Sequence, residues 1–212
     1  MKKNPRVLRE ILYRVYEKGE LFMTQKSLAE SCEISLDAVN RVISKLFQFR
    51  AIEKKPFGFR VVEPKKILLY WATTRNLQAD IVYSTYSPDA PEEIENDMPE
   101  GTIFTAFSGY KKKYGSCPQS YDEVHVYSKN PEEIKRRHPE REAGIENIIV
   151  MRMDPHLEKL SEKSVPPIAQ IYVDLWQLGG SAAERCLLAL DEKLEARSTE
   201  AFKQLIGLLP KA

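Results

Sequence analysis

One stretch of this chain carries side chains able to read or grip a nucleic-acid duplex. Between Leu36 and Phe49, the apolar residues Val39, Val42, Ile43, Leu46 and Phe47 share one helical stripe. That stripe turns Ser35, Asp37, Ala38, Asn40, Arg41 and Lys45 outward. An Asn amide can pair bidentately with adenine, and an Arg guanidinium with guanine or with a phosphate. Lys45, one turn further along, suits the phosphate backbone. Lys54, Lys55 and Arg60 lie on two short β-like runs just downstream, and Lys26 opens a helical run just upstream. All four suit phosphate contacts. Asp37 opposes a purely phosphate-binding surface, because its carboxylate repels the backbone.

The elements that must hold these residues follow from periodicity. From Pro5 the apolar positions fall at 7, 8, 11, 12, 15 and 16, a helical spacing with Pro in the first turn and Gly19 at the stop. Thr24 is placed to cap a second helix whose Leu28 and Ala29 face inward. A tight break at 31–34 follows, and Ser35 caps the longer helix. The period then changes: 51–55 and 59–62 read as strands, with Pro56-Phe57-Gly58 as the turn. The order helix, helix, turn, helix, hairpin over residues 5–63 resembles the winged helix-turn-helix family. That resemblance implies that the Leu36–Phe49 helix enters the major groove and that the hairpin tracks phosphates or dips into the minor groove.

Charge divides the chain in the same place. Its net value is +1, yet residues 1–66 hold 15 Lys/Arg against 8 Asp/Glu, a balance of +7, and the other 146 hold 17 against 23, a balance of −6. Two modules with different partners are expected, one over 1–64 and one over 65–212. At 42% hydrophobic and 30% charged, the chain has enough apolar material for a core. The longest uncharged apolar run, Ile67 to Ala72, is six residues, far short of the roughly 18 of a membrane helix. No apolar segment follows the charged start, which argues against a signal peptide. The three cysteines, Cys32, Cys117 and Cys186, form no CxxC pair and no zinc spacing, and read as apolar fillers. A cytoplasmic protein with reduced thiols is expected.

The acidic remainder reads as a mixed α/β domain with a helical C-terminal end. A helix is expected over 67–77, strands over 81–86, 102–107, 123–127 and 148–153, and a loop or short helix over 88–98. Helices are expected over 131–141, 168–178, 181–196 and 198–209. The segments Thr102 to Gly115 and Glu123 to Tyr127 resemble a region of AbiEi-type proteins, where a small-residue helix lies between strands. Val165 to Arg185 resembles their Pro-x-x-Gln-x-Tyr-x-Asp-Leu segment. AbiEi proteins are winged-helix repressors, the antitoxin half of type IV toxin–antitoxin pairs. The resemblance implies a repressor that binds double-stranded DNA at its own promoter, and admits self-association or a toxin partner. Within the second segment, Asp174 also fits a plain structural role, capping a helix or satisfying a buried amide.

Residue types for catalysis are scattered. Ser108-Gly109 at a helix start, then a strand at Val124, faintly matches a nucleotidyltransferase, which needs paired carboxylates to hold magnesium. Here Asp122 and Glu123 are adjacent, so they point to opposite faces of a strand, and the residue two after Glu123 is His125. His125, His138 and His156 form no metal-binding spacing, and no Gly-rich phosphate loop exists. The run Lys111-Lys112-Lys113 reads as a solubilising face. The fold class expected is therefore α+β, with a winged-helix DNA-binding module followed by a regulatory or interaction domain. No catalytic residue, metal or cofactor is expected. The rival readings are a degenerate nucleotidyltransferase and a winged helix that binds protein.

Overall fold

The computed structural model describes residues 5–141, 144–205 and 207. They form a mixed α+β protein with ten α-helices and two small sheets among the described residues. The chain divides into two compact units: one from within 1–75, 167–169 and 190–212, the other from 76–166 and 170–189. The first unit thus runs past residue 64 and takes in part of the C-terminal end.

The first unit begins with α1 (Pro5–Lys18), β1 (Phe22–Met23), α2 (Gln25–Cys32) and α3 (Leu36–Gln48), then β2 (Ile52–Lys55), β3 (Gly58–Val61) and α4 (Pro64–Thr74). Thr24 caps α2 by accepting from the Ser27 amide at 3.0 Å, and Ser35 caps α3 by accepting from the Ala38 amide at 3.3 Å. Between them Glu33 adopts a left-handed φ of 55°, and the Ile34 amide returns to the Ala29 carbonyl at 3.1 Å. The chain therefore turns sharply enough for α3 to pack across α2. Val7, Leu8, Ile11, Leu12, Leu28, Val39, Ile43, Leu46, Phe59, Val61 and Trp71 fill the core. Arg14 ties α1 to α2, donating to Glu10 at 2.7 Å, Ser27 Oγ at 3.1 Å and Ser31 Oγ at 2.7 Å.

The sheet of this unit has the order β1-β3-β2, all antiparallel. The short β1 was not legible in the sequence, because two residues carry no alternation. It fixes one glycine, since a Cβ at Gly58 would lie 2.4 Å from the Met23 carbonyl oxygen. The β2–β3 register pairs Lys55 with Gly58, so Pro56 and Phe57 form a two-residue turn. Phe57 has a φ of 65°. A turn with negative φ at its first centre and positive φ at its second takes Gly or Asn there by preference. A phenylalanine in that conformation carries roughly 1–2 kcal/mol of strain.

The second unit holds β4 (Ile81–Thr85), α5 (Pro91–Asp97), β5 (Ile103–Thr105), α6 (Ala106–Tyr114), β6 (Val124–Ser128), α7 (Pro131–Arg137), β7 (Ile148–Arg152) and α8 (Pro155–Leu160). Its sheet order is β4-β7-β6-β5, with β6 and β7 parallel and the outer pairs antiparallel. One face packs Phe104, Val124, Val126, Ile148 and Val150 against Ile94, Met98 and Ile134. The other packs Ile103, Tyr127 and Met151 with Leu77, Met153 and Leu157. α8 was missed in the sequence, although Asp154 caps it at the amides of His156 and Leu157. In α6 a Cβ at Gly109 would lie 2.7 Å from the Phe104 carbonyl, so the Ser108-Gly109 pair serves close packing of α6 on β5.

Two helices close the described chain, α9 (Ile168–Leu178) and α10 (Gly180–Leu205). The two expected C-terminal helices are one as far as Leu205, and of the remainder residues 206, 208 and 209 lie outside the described residues. No Gly or Pro interrupts 181–205, and Arg197 at the expected break donates to the Tyr16 carbonyl at 2.8 Å. No helix of the described residues is long and apolar enough to cross a membrane.

Candidate functional site

Most arginines of the basic N-terminal region are occupied within the fold. Arg9 is 4% exposed and lies over the Trp71 ring, Arg14 is bound as above, and Arg6 donates to the Cys32 carbonyl at 3.4 Å. Lys65 pairs with Asp191. The outer row of α3 is different. Asp37, Asn40, Arg41, Ser44 and Lys45 are all exposed, while Val39, Ile43 and Leu46 are buried. Arg41 and Lys45 have no ion-pair partner among the described residues. Ser35 is exposed too, and one lone pair of its hydroxyl is taken by the cap. Lys26 is exposed on α2, 4.0 Å from Glu30.

The hairpin separates the three cations expected to act together. Lys54 points toward α3, with its ammonium 4.7 Å from the centre of the Phe47 ring. Lys55 and Arg60 sit on the opposite face, at 3.1 Å and 2.8 Å from the Glu53 carboxylate. Side chains alternate along a strand, and the register places Glu53 across from Arg60. Hydrogen bonds from Lys55 and then Arg60 hold the Glu53 carboxyl below its usual range. Lys54 is therefore placed against α3 through Phe47, whereas Lys55 and Arg60 are matched to Glu53 on the other face of the hairpin.

Two residues of this surface escaped the sequence reading. Phe47 was assigned to the inward stripe but is exposed, and Lys54 rather than the core covers it. Phe57 is 97% exposed at the hairpin tip. The signal was present: a large apolar residue between Pro and Gly in a tight turn cannot reach a core.

The second unit contains a pocket of about 640 Å³. Ser84, Phe107, Tyr121, Asp122, Glu123 and His125 are among its walls. His125 is 3% exposed, and burial pulls its pKa down to about 4 against a weaker pull upward from Asp174. The imidazole is neutral at pH 7, so its 3.7 Å approach to Glu123 is not an ion pair. Burial first, then Asp122, raises the Glu123 carboxyl. Beside this site Asp174 is fully buried and accepts from Thr105 Oγ1 at 2.8 Å, Tyr127 OH at 2.7 Å and Gln170 Nε2 at 3.0 Å. Asp174 thus satisfies two hydroxyls as well as a side-chain amide.

No family model, curated protein or solved structure matches this chain. Among the described residues no group of three or more His, Cys, Asp or Glu could hold a metal ion. Lys111 sits at 2.8 Å and 3.6 Å from Glu92 and Glu95, and Lys112 covers the Phe104 ring, so part of the 111–113 run is engaged locally.

Proposed function

We propose that residues 5–63 form a winged helix-turn-helix and that the protein is a sequence-specific, double-stranded DNA-binding transcriptional regulator, a repressor of the AbiEi kind. The observation that carries this reading is the outer row of α3. It is an exposed polar row with unmatched cations, in a unit whose other arginines are largely bound internally. In this reading Asn40 and Arg41 read base edges, Lys45, Lys54 and Lys26 meet phosphates, and Ser35 meets the backbone at the start of α3. Phe57 acts as an apolar wedge at the minor groove, where such side chains unstack a base step. Its strained turn supports that role, because strain kept at an exposed position points to function. A cytoplasmic location, self-association on a palindromic operator and a toxin partner belong to the same proposal.

A second reading, a protein-binding winged helix, draws on the exposure of Leu36 at 53% and of Phe57. A salt titration of binding to random duplex DNA separates the two. Release of counterions from about four phosphates gives a log–log slope of roughly −3 to −4. A flat response, or no binding at low salt, overturns DNA binding.

A further inference from the structure

The cysteines looked like fillers in the sequence, and the structure brings two of them together. Cys117 lies in the segment between α6 and β6, and Cys186 lies in the second turn of α10. Their Sγ atoms are 3.4 Å apart although 69 positions separate them. Cys117 is half-buried and Cys186 is fully buried. Neighbours of both in sequence, Ser120 and Tyr121 after Cys117 and Ser181 and Ala182 before Cys186, are among the walls of the second unit's pocket. We propose that Cys117 and Cys186 are a reversible thiol–disulfide site, oxidised by a hydroperoxide, with Cys117 as the attacking thiol and Cys186 as the resolving one.

The environments of the two sulfurs differ in the sense this chemistry needs. Cys117 is the more exposed sulfur, the one a hydroperoxide can reach, and the contact with Cys186, the Gln119 amide and the charge of Lys111 hold it below the usual thiol range despite burial. The same contact and burial raise Cys186 above it. Thiolate, not thiol, is the nucleophile. The Cys117 thiolate attacks the peroxide O–O bond, forming an S–O bond and releasing an alkoxide that takes up a proton as alcohol. Cys186 then attacks the Cys117 sulfur, losing its proton and displacing hydroxide, and these combine as water. Two thiols are oxidised by two electrons, and one hydroperoxide is reduced to alcohol and water. The sulfurs must close to a bond of about 2.0 Å. Gly115, with a φ of 86°, opens the segment that carries Cys117. Cys32 is the internal control: it is fully buried, and burial with the neighbouring Glu10 pushes it up to about 12.

The test uses the full chain and hydrogen peroxide. After exposure, quenching and denaturation, a thiol reagent should titrate one cysteine instead of three. Peptide mapping should find Cys117 joined to Cys186 with the loss of two hydrogens, and dithiothreitol should restore all three thiols. In Cys186→Ser, Cys117 should accumulate as a sulfenic acid that dimedone labels. In Cys117→Ser, the remaining two thiols should persist through the same exposure. The proposal is overturned if the native protein keeps three thiols, if the bond joins two molecules or includes Cys32, or if Cys117→Ser loses thiols as fast as the native chain. The thiol count and peptide map of the native protein decide the question even if a serine variant fails to fold.

Discussion

Helices α3 and α9 both set polar residues beside an apolar stripe, and the chain uses them in opposite ways. On α9, Gln170 and Asp174 are 1% and 0% exposed, and they meet each other and the hydroxyls of Thr105 and Tyr127. On α3, Asn40, Arg41 and Lys45 are exposed, and the two cations have no ion-pair partner among the described residues. A buried polar group without partners costs about 1–3 kcal/mol, so one that persists in a core is bound by its neighbours. An exposed row is free of that demand and is available to a ligand. Polarity on a helix face therefore separates into structure and recognition by asking where each donor and acceptor goes.

The largest effect should come from breaking the α9 side. Asp174→Ala removes the acceptor shared by two buried hydroxyls and the Gln170 amide, and should lower stability by about 4 kcal/mol, read as the urea midpoint. DNA binding by the folded fraction should be unchanged; a small loss of stability would mean the network contributes little. Next in size is a pH effect in the same unit. His125 binds its proton less readily folded than unfolded, so stability should fall as pH drops from about 6.5 to about 4 and level off below. That fall should be on the order of 3 kcal/mol. His125→Gln should flatten most of the slope, with His138, lowered by burial, supplying a residue of the same sign. An equal slope in the variant would exclude His125 as the source.

On the α3 side, Arg41→Ala should weaken binding to the specific operator by about 1–3 kcal/mol, with stability unchanged. Equal losses on random DNA would reassign Arg41 to the phosphate backbone. The smallest contrast lies within the hairpin. Lys54→Ala should reduce the magnitude of the salt slope by about one, whereas Arg60→Ala should leave it nearly unchanged. The reverse result would mean that Glu53 releases Arg60 when DNA arrives.

The α3 surface was legible because its elements are local: caps at Thr24 and Ser35, a 3.6-residue stripe and a turn at Pro56 are all written within a few residues. What failed was long-range. Pairing of Lys55 and Arg60 with Glu53 depends on strand register, and the two-residue β1 depends wholly on β3. The partners of Asp174 lie 69 and 47 positions away, and Cys117 meets Cys186 across a similar span. The sequence placed a break between 196 and 198 in what is one helix, α10, and Arg197 and Ala201 pack within the first unit and carry the helix through.

The left-handed phenylalanine at the hairpin tip also bears on how this position tolerates change. Glycine or asparagine there should relax the turn, so stability alone would select against Phe57. A saturation library at position 57, sorted once for folding and once for duplex binding, should rank its variants in opposing orders. Glycine should head the first ranking and fall low in the second, with aromatic residues favoured there.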